Sequence, residues 1–221
     1  MSIIDIIVAY KEGLLSGLLV TLKLCLIIWT LGITIGTLLG YLGSRYKVEV
    51  GVPTKILSFV LSGIPALILL FWLHYPLQSM LGIVVDPFWT AALAISIINI
   101  FSVADLIRSH LENFPAEYVT AAQVCGISKK DAFLKIELPI ILRQTIPSLL
   151  NTQVNMLQIT LFASLISVEE IFRVAQRINA TIYKPIEVYT ALAVFFLLIC
   201  LPLNGLALWL KHKYTRNTSE H

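Results

Sequence analysis

The amino-acid sequence predicts an all-α membrane protein with five transmembrane helices, on three observations. Of its 221 residues, 57% are hydrophobic and 13% charged, where soluble domains carry nearer a quarter of charged residues. The apolar residues fall in runs long enough to cross a bilayer, which takes about 20 residues of helix. The cationic residues are shared unequally among the connections between those runs.

The runs place spans at about 14–42, 56–82, 87–108, 143–168 and 188–210, all within one transmembrane domain of residues 1–221. Ahead of the first span, "MSIIDIIVAYKEGLL" has no basic n-region and no small-residue cleavage site. A short amphipathic segment is therefore expected there, not a removable signal peptide. Span 1 carries a single charge, Lys23, in its outer half. Lys23 either snorkels to the surface or pairs with Glu169 or Glu170 at the same end. Gly32, Gly36 and Gly40 recur every four residues and let another backbone approach closely.

Span 2 has no acidic residue, lysine or arginine from Ile56 to Val85. Pro65, following Gly63, is expected to bend or locally unwind it, either lining a pathway or only shaping the bundle. His74 falls near its outer end and reads as interfacial. Span 3 is free of charge from Pro87 to Ala104, and Asn99 reads as a residue that bonds helix to helix. Span 4 is uncharged but polar, with Asn151, Gln153, Asn155, Gln158 and Thr160. Asn151, Asn155 and Gln158, at i, i+4 and i+7, share one face. Amides inside a bilayer need a partner or a wet cavity, so helix–helix bonding and a translocation surface both fit. Span 5 contains Pro202 and Gly205, expected to bend it.

Five spans place the two termini on opposite sides. The connections after spans 1 and 3 and the C-terminal tail carry eleven lysines and arginines: Arg45, Lys47, Lys55, Arg108, Lys129, Lys130, Lys135, Arg143, Lys211, Lys213 and Arg216. The opposite set carries four, Lys11, Arg173, Arg177 and Lys184. This bias puts the N-terminus outside, and the C-terminus and the loop of about 113–140 in the cytoplasm. The three cysteines, Cys25, Cys125 and Cys200, have no disulfide or metal spacing.

The loop "TAAQVCGISKKDAFLKIELP" is the most hydrophilic extended run of the chain. Pro115 can start a helix, with Glu117 in its first turn. Gly126 can end that helix in the left-handed conformation. Ser128 can cap a second helix, with Asp131 three residues on. Ala132, Phe133, Ile136 and Leu138 then form an apolar stripe, Lys129, Lys130, Lys135 and Glu137 lie largely elsewhere, and Pro139 is expected to stop the helix. Such a stripe suits a groove on a partner protein. A nucleic-acid partner is excluded, because spans end within about ten residues on either side and a net charge of +3 supplies little phosphate attraction.

Thr120-Ala121-Ala122, then three residues, Gly126, and later Ile136, Leu138 and Pro139 resemble the EAA motif of importer permeases of the ATP-binding-cassette (ABC) family. That motif reads Glu-Ala-Ala-x3-Gly, roughly nine residues, then Ile-x-Leu-Pro. "GLLVTLKLCL", "SGIPALILLF", "ASLISVEEIFRVAQ" and "YKPIEVYTAL" are similar to the polar-amino-acid subfamily, which imports histidine, glutamine, glutamate, arginine or cystine. The resemblance spans about Gly13 to Leu210. It implies the type I ABC importer permease fold in a prokaryotic cytoplasmic (inner) membrane. The implied partners are an ATPase dimer that binds ATP and Mg, a second permease chain (identical or not), an extracytoplasmic solute-binding protein and membrane lipid. This chain would hold no cofactor and no metal of its own. It has no Gly-x4-Gly-Lys-Ser/Thr phosphate loop, so it is expected to be a transport subunit and not an enzyme.

The resemblance makes Ser128 to Ile136 the helix docked on the ATPase, with Phe133 its anchor and Gly126 its turn. Thr120, Ala121, Ala122, Ser128, Lys129, Asp131, Leu138 and Pro139 complete the coupling set. It also makes Ile64, Pro65, Leu69, Asn155, Gln158, Thr160 and Glu170 candidate pathway residues, and the hairpin of Glu169 to Glu187 the face toward the binding protein. Three departures stand out. Thr120 replaces the motif's Glu, Ser62-Gly63-Ile64-Pro65 with Leu69 replaces Arg-Gly-Thr-Pro-x3-Gln, and Gln158-Ile159-Thr160-Leu161 replaces Lys-Asp-Thr-Ser. Either the solute is less polar, or this chain is the non-gripping half of a heterodimer. The rival class, a self-sufficient secondary transporter, would need a mid-span coupling carboxylate, and this sequence has neither that nor an internal repeat.

Overall fold

A computed structural model describes residues 2–215, all helix and connections, with no strand among them. Arg216, counted in the charge bias, lies outside the described residues. Short helix α1 (Ile3–Ala9) is capped by Ser2 and Asp5 and leads into α2 (Lys11–Arg45). A π-helical turn at Lys47–Gly51 opens α3 (Val52–Gly63), followed by α4 (Ala66–His74) and α5 (Pro76–Leu81). Next come α6 (Pro87–Glu112), α7 (Ala116–Val124) and α8 (Lys129–Ala132). A second π-helical turn, Phe133–Glu137, joins α8 to α9 (Leu138–Ile159), which tightens to a 3-10 helix at Thr160–Ile166. Helices α10 (Ile171–Ile182) and α11 (Pro185–Thr215) complete the chain.

Among the described residues, four helices are long and apolar enough to cross a membrane: Lys11–Arg45, Pro87–Glu112, Lys129–Ile166 and Pro185–Tyr214. The second span, expected to bend or unwind at Pro65, is two arms, Lys47–Gly63 and Ala66–Leu81, meeting at 96°. Counting that bent pair as one span gives five. The break falls at Ile64 and Pro65, where the proline has no N–H to continue the ladder. Pro202 does not act alike: α11 runs through it unbroken. One lost hydrogen bond within 31 helical residues is absorbed, whereas Ile64, ahead of Pro65, adopts the extended backbone (φ −99°, ψ 121°) that ends α3.

The glycine spacing of α2 sets the main packing. A Cβ at Gly36 would come within 2.7 Å of the Ile100 carbonyl oxygen and 2.8 Å of Val103 Cβ. At Gly40 it would meet Ala104 and Ile107. The contacts advance in step, so α2 and α6 run parallel and in direct backbone contact. The chain between them must therefore return across the same thickness, and the bent pair makes that return.

Asn99, fully buried, ties three spans together. Its Nδ2 donates to the Ile28 carbonyl at 2.9 Å and to Gln153 Oε1 at 2.9 Å, and Gln153 Nε2 donates back to Asn99 Oδ1 at 3.3 Å. Trp29 Nε1 reaches the Gln153 carbonyl at 3.1 Å. A neutral pair of this kind satisfies itself without charge. Asn99→Leu is expected to destabilise the fold by about 1–3 kcal/mol, because Gln153 is left buried without its partner. The double change with Gln153→Leu is expected to melt above that single variant in detergent.

Lys23 is exposed on α2 and does not pair with either glutamate. Glu169 is in an ion pair with Arg177, and Glu170 is enclosed elsewhere, so snorkelling accounts for the lysine.

Candidate functional site

The 113–140 segment forms two helices around one tight turn. Pro115 precedes α7, and Gly126, at φ +76°, ends it. The Ile127 N–H donates to the Ala122 carbonyl at 3.0 Å, closing the turn. Ser128 Oγ accepts from the Asp131 N–H at 3.1 Å and donates to Asp131 Oδ2 at 2.7 Å, while Lys135 pairs with Asp131 at 2.8 Å. Thr120, in the place of the motif's glutamate, donates its hydroxyl to the Ala116 carbonyl at 3.0 Å and so serves its own helix. Ala122 is buried, whereas Ala121, Gly126, Ser128 and Lys129 are exposed.

Two expectations about this segment need correction. Pro139 stops no helix: Lys129–Ile166 is continuous. Proline fits because it stands in the first turn after the π-helical segment, where the shifted hydrogen-bond register does not use its missing N–H. In consequence the stripe at Ala132, Phe133 and Ile136 belongs to the inward face of the long helix, in line with buried Ile141 and Thr145. Ala132 is buried, Ile136, Leu138 and Pro139 are half-buried, and Phe133 turns back into a cleft shared with Tyr41 and Leu111. Apolar groups that do project from this segment are Val124, 82% exposed, Leu134, Tyr118 and Ile127; Val124 and Ile127 stand near the turn, where neither joins a periodic stripe.

The other candidate residues divide in two. Asn151, Asn155 and Gln158 are exposed along one face of α9. Gln158 and Asn204 line a crevice of about 310 Å³ with Phe196 and Cys200. Asn204 escaped notice because Pro202 and Gly205 read as a bend and not as a polar site. Pro65 is exposed at the 96° break, with Ile64 and Leu69 half-buried beside it.

Thr160 and Glu170 face no open space. Thr160 donates to the Leu157 carbonyl at 2.6 Å and is fully buried. Glu170, 0% exposed, caps α10: its carboxylate accepts from the Phe172 N–H at 3.0 Å and the Arg173 N–H at 2.8 Å. The neighbouring Ile171 N–H donates to Thr21 Oγ1 at 3.2 Å, fastening α10 to α2. In this chain both side chains are engaged in local hydrogen bonds. Sequence position alone could not distinguish a carboxylate facing solute from one facing a helix N-terminus.

Burial pushes the Glu170 carboxyl up to about 7, while the two backbone N–H groups hold it down. Unfolded, it titrates near 4.5. Its contribution to stability is therefore full below that value and lost as pH rises through about 7. The melting temperature is expected to fall between about pH 5 and pH 8 through this group, and Glu170→Gln is expected to flatten that slope.

Residues 32–216 match the family described as binding-protein-dependent transport system inner membrane component. The chain belongs to that family. This permease is therefore a multi-pass inner-membrane transport component. It is 27% identical over 197 residues to the octopine transport system permease protein OccM of Rhizobium meliloti, covering 84% of this chain and 79% of that one. It is 31% identical over 144 residues to the L-cystine transport system permease protein TcyB of Bacillus subtilis, covering 64% and 61%. Against the histidine/lysine/arginine/ornithine transport system permease protein HisQ of Escherichia coli the figures are 24%, 93% and 95%.

Among solved structures, the fold matches an amino acid ABC transporter crystallised with histidines at a TM-score of 0.83, with 22% identity over 94% of this chain and 96% of that one. It matches an inward-facing MetNI methionine ABC transporter at 0.70, with 15% identity over 93% and 98%. The permease has the type I ABC importer fold.

Proposed function

We propose that this permease is the membrane subunit of an ATP-driven importer for amino acids or amino-acid-like small solutes. The observation that carries the substrate class is the likeness to permeases of octopine, cystine and basic amino-acid systems along most of the chain. Its N-terminus lies outside and its C-terminus in the cytoplasm, as the charge bias favours. A second permease chain, two ATPase subunits that bind ATP and Mg, and an external solute-binding protein complete the transporter.

Residues 113–140 act as the coupling segment, with Val124, Ile127 and the Gly126 turn seated in the ATPase. ATP binding closes the ATPases and moves the turn. Because Lys129–Ile166 is one continuous helix, that motion passes directly into the face carrying Asn155 and Gln158. Hydrolysis resets the pair.

The pathway face presents amides and no charged side chain, which supports a solute held by neutral hydrogen bonds, or a heterodimer whose other chain supplies the charges. The combined change Asn155→Leu and Gln158→Leu is expected to lower uptake roughly tenfold or more while the ATPase still co-purifies. Loss of the ATPase from that variant would argue that the face serves assembly. The substrate class itself is tested by the cognate binding protein: thermal stabilisation by an amino acid supports it, and stabilisation only by solutes of another class rejects it.

A further inference from the structure

At the end of the bundle that bears the 113–140 segment lies a polar cleft of about 390 Å³, between the end of α2 and the π-helical turn at Phe133–Glu137. Arg45 and Lys47 stand on one wall, and Phe133 and Glu137 on the other. Glu112 also lines the cleft, paired at 2.8 Å with the buried Arg108, whose guanidinium it shares with Asp105. Among the described residues no hydrogen bond or ion pair joins Arg45, Lys47 or Glu137 to another side chain, and all three line the cleft. Tyr41, an aromatic of the kind found at membrane–water interfaces, marks the rim.

A molecule with an anionic oxygen group and an ammonium a few bonds apart matches this arrangement. We propose that the cleft binds such a zwitterion, and that its source is the headgroup of phosphatidylethanolamine. The phosphate would lie between Arg45 and Lys47, the ammonium at Glu137, and the acyl chains outside along α2. Charge-assisted hydrogen bonds of this kind are the strong ones. Basic clefts between membrane helices at the cytoplasmic face suit phosphorylated headgroups, and the carboxylate here adds selectivity for the amine. Any effect on transport rests on the coupling role of 113–140; the binding does not. Occupancy would clamp the π-helical turn to α2, the point through which the coupling segment enters the membrane.

The test uses the whole permease–ATPase complex in nanodiscs of phosphatidylethanolamine and phosphatidylglycerol, with retained lipid read by native mass spectrometry. The wild-type complex is expected to keep phosphatidylethanolamine over phosphatidylglycerol by roughly tenfold. Glu137→Gln removes that preference while phospholipid is still retained. Arg45→Gln with Lys47→Gln loses both lipids, with the melting temperature of the complex unchanged. If millimolar L-glutamine displaces the lipid, the zwitterion site stands and a free amino acid is its occupant. Equal retention of the two lipids by all three forms, with no displacement by L-glutamine, overturns the proposal. Failure of ATP-driven amino-acid uptake would leave this lipid readout untouched, so the two outcomes are distinguishable.

Discussion

A permease carrying Val124→Asp is expected to insert and fold, yet to lose its ATPase on purification. Val124 projects from the end of α7 with 82% of its surface exposed, one residue before Cys125 and the Gly126 turn. An apolar residue held out on a capped turn contributes to binding by leaving water on contact. Aspartate there buries an unpaired charge in the contact. The expected loss is about 2–4 kcal/mol, a weakening of roughly thirty- to a thousandfold. Phe133→Asp is expected to act differently, since Phe133 faces the cleft beside Tyr41 and Leu111. It should disturb the permease itself and lower its melting temperature. Co-purification and thermal unfolding of the two variants separate the effects. Retention of the ATPase by Val124→Asp, with its loss only in Phe133→Asp, would return the docking face to the second helix.

The largest effect on folding is expected from Gly36→Leu. A Cβ there would meet a backbone oxygen at 2.7 Å and the Val103 Cβ at 2.8 Å, neither of which can rotate away. The helices must separate, and separation also breaks the Asn99 contact with the Ile28 carbonyl, only two turns distant. Overpacking alone costs about 1–3 kcal/mol, and an unsatisfied amide adds a similar amount. The variant is expected to accumulate poorly in the membrane and to lose monodispersity in detergent. Gly126→Ala probes a different constraint, since open space surrounds Gly126 and only its left-handed backbone opposes a side chain. A modest loss of stability of about 1 kcal/mol is expected there.

Features legible in the sequence were those set by local chemistry or by a strict period. The four-residue glycine spacing foretold the close approach of α2, and Asn99 foretold an interhelix bond. Ser128 and Gly126 act as the cap and turn that their residue types favour. What local chemistry could not disclose was direction. Whether Pro139 ends a helix depends on the hydrogen-bond register of the turn before it, which a π-helical insertion changes. Once the helix continues, the stripe at Ala132, Phe133 and Ile136 faces the bundle and not a partner. Pro65 and Pro202 look alike in sequence, yet one follows an extended Ile64 at a 96° break and the other stands inside an unbroken helix. Glu170 matched an acidic position expected to meet solute, while the structure spends its carboxylate on the start of α10.

The central claim is that this permease moves solute only with energy borrowed from a partner. It is tested most directly in proteoliposomes that hold the permease with its cognate ATPase, the loaded binding protein and a labelled amino acid outside. Uptake is expected to require internal ATP, the ATPase and the binding protein together, and to vanish with Val124→Asp. Uptake that proceeds without ATPase, driven by an ion gradient, would contradict it.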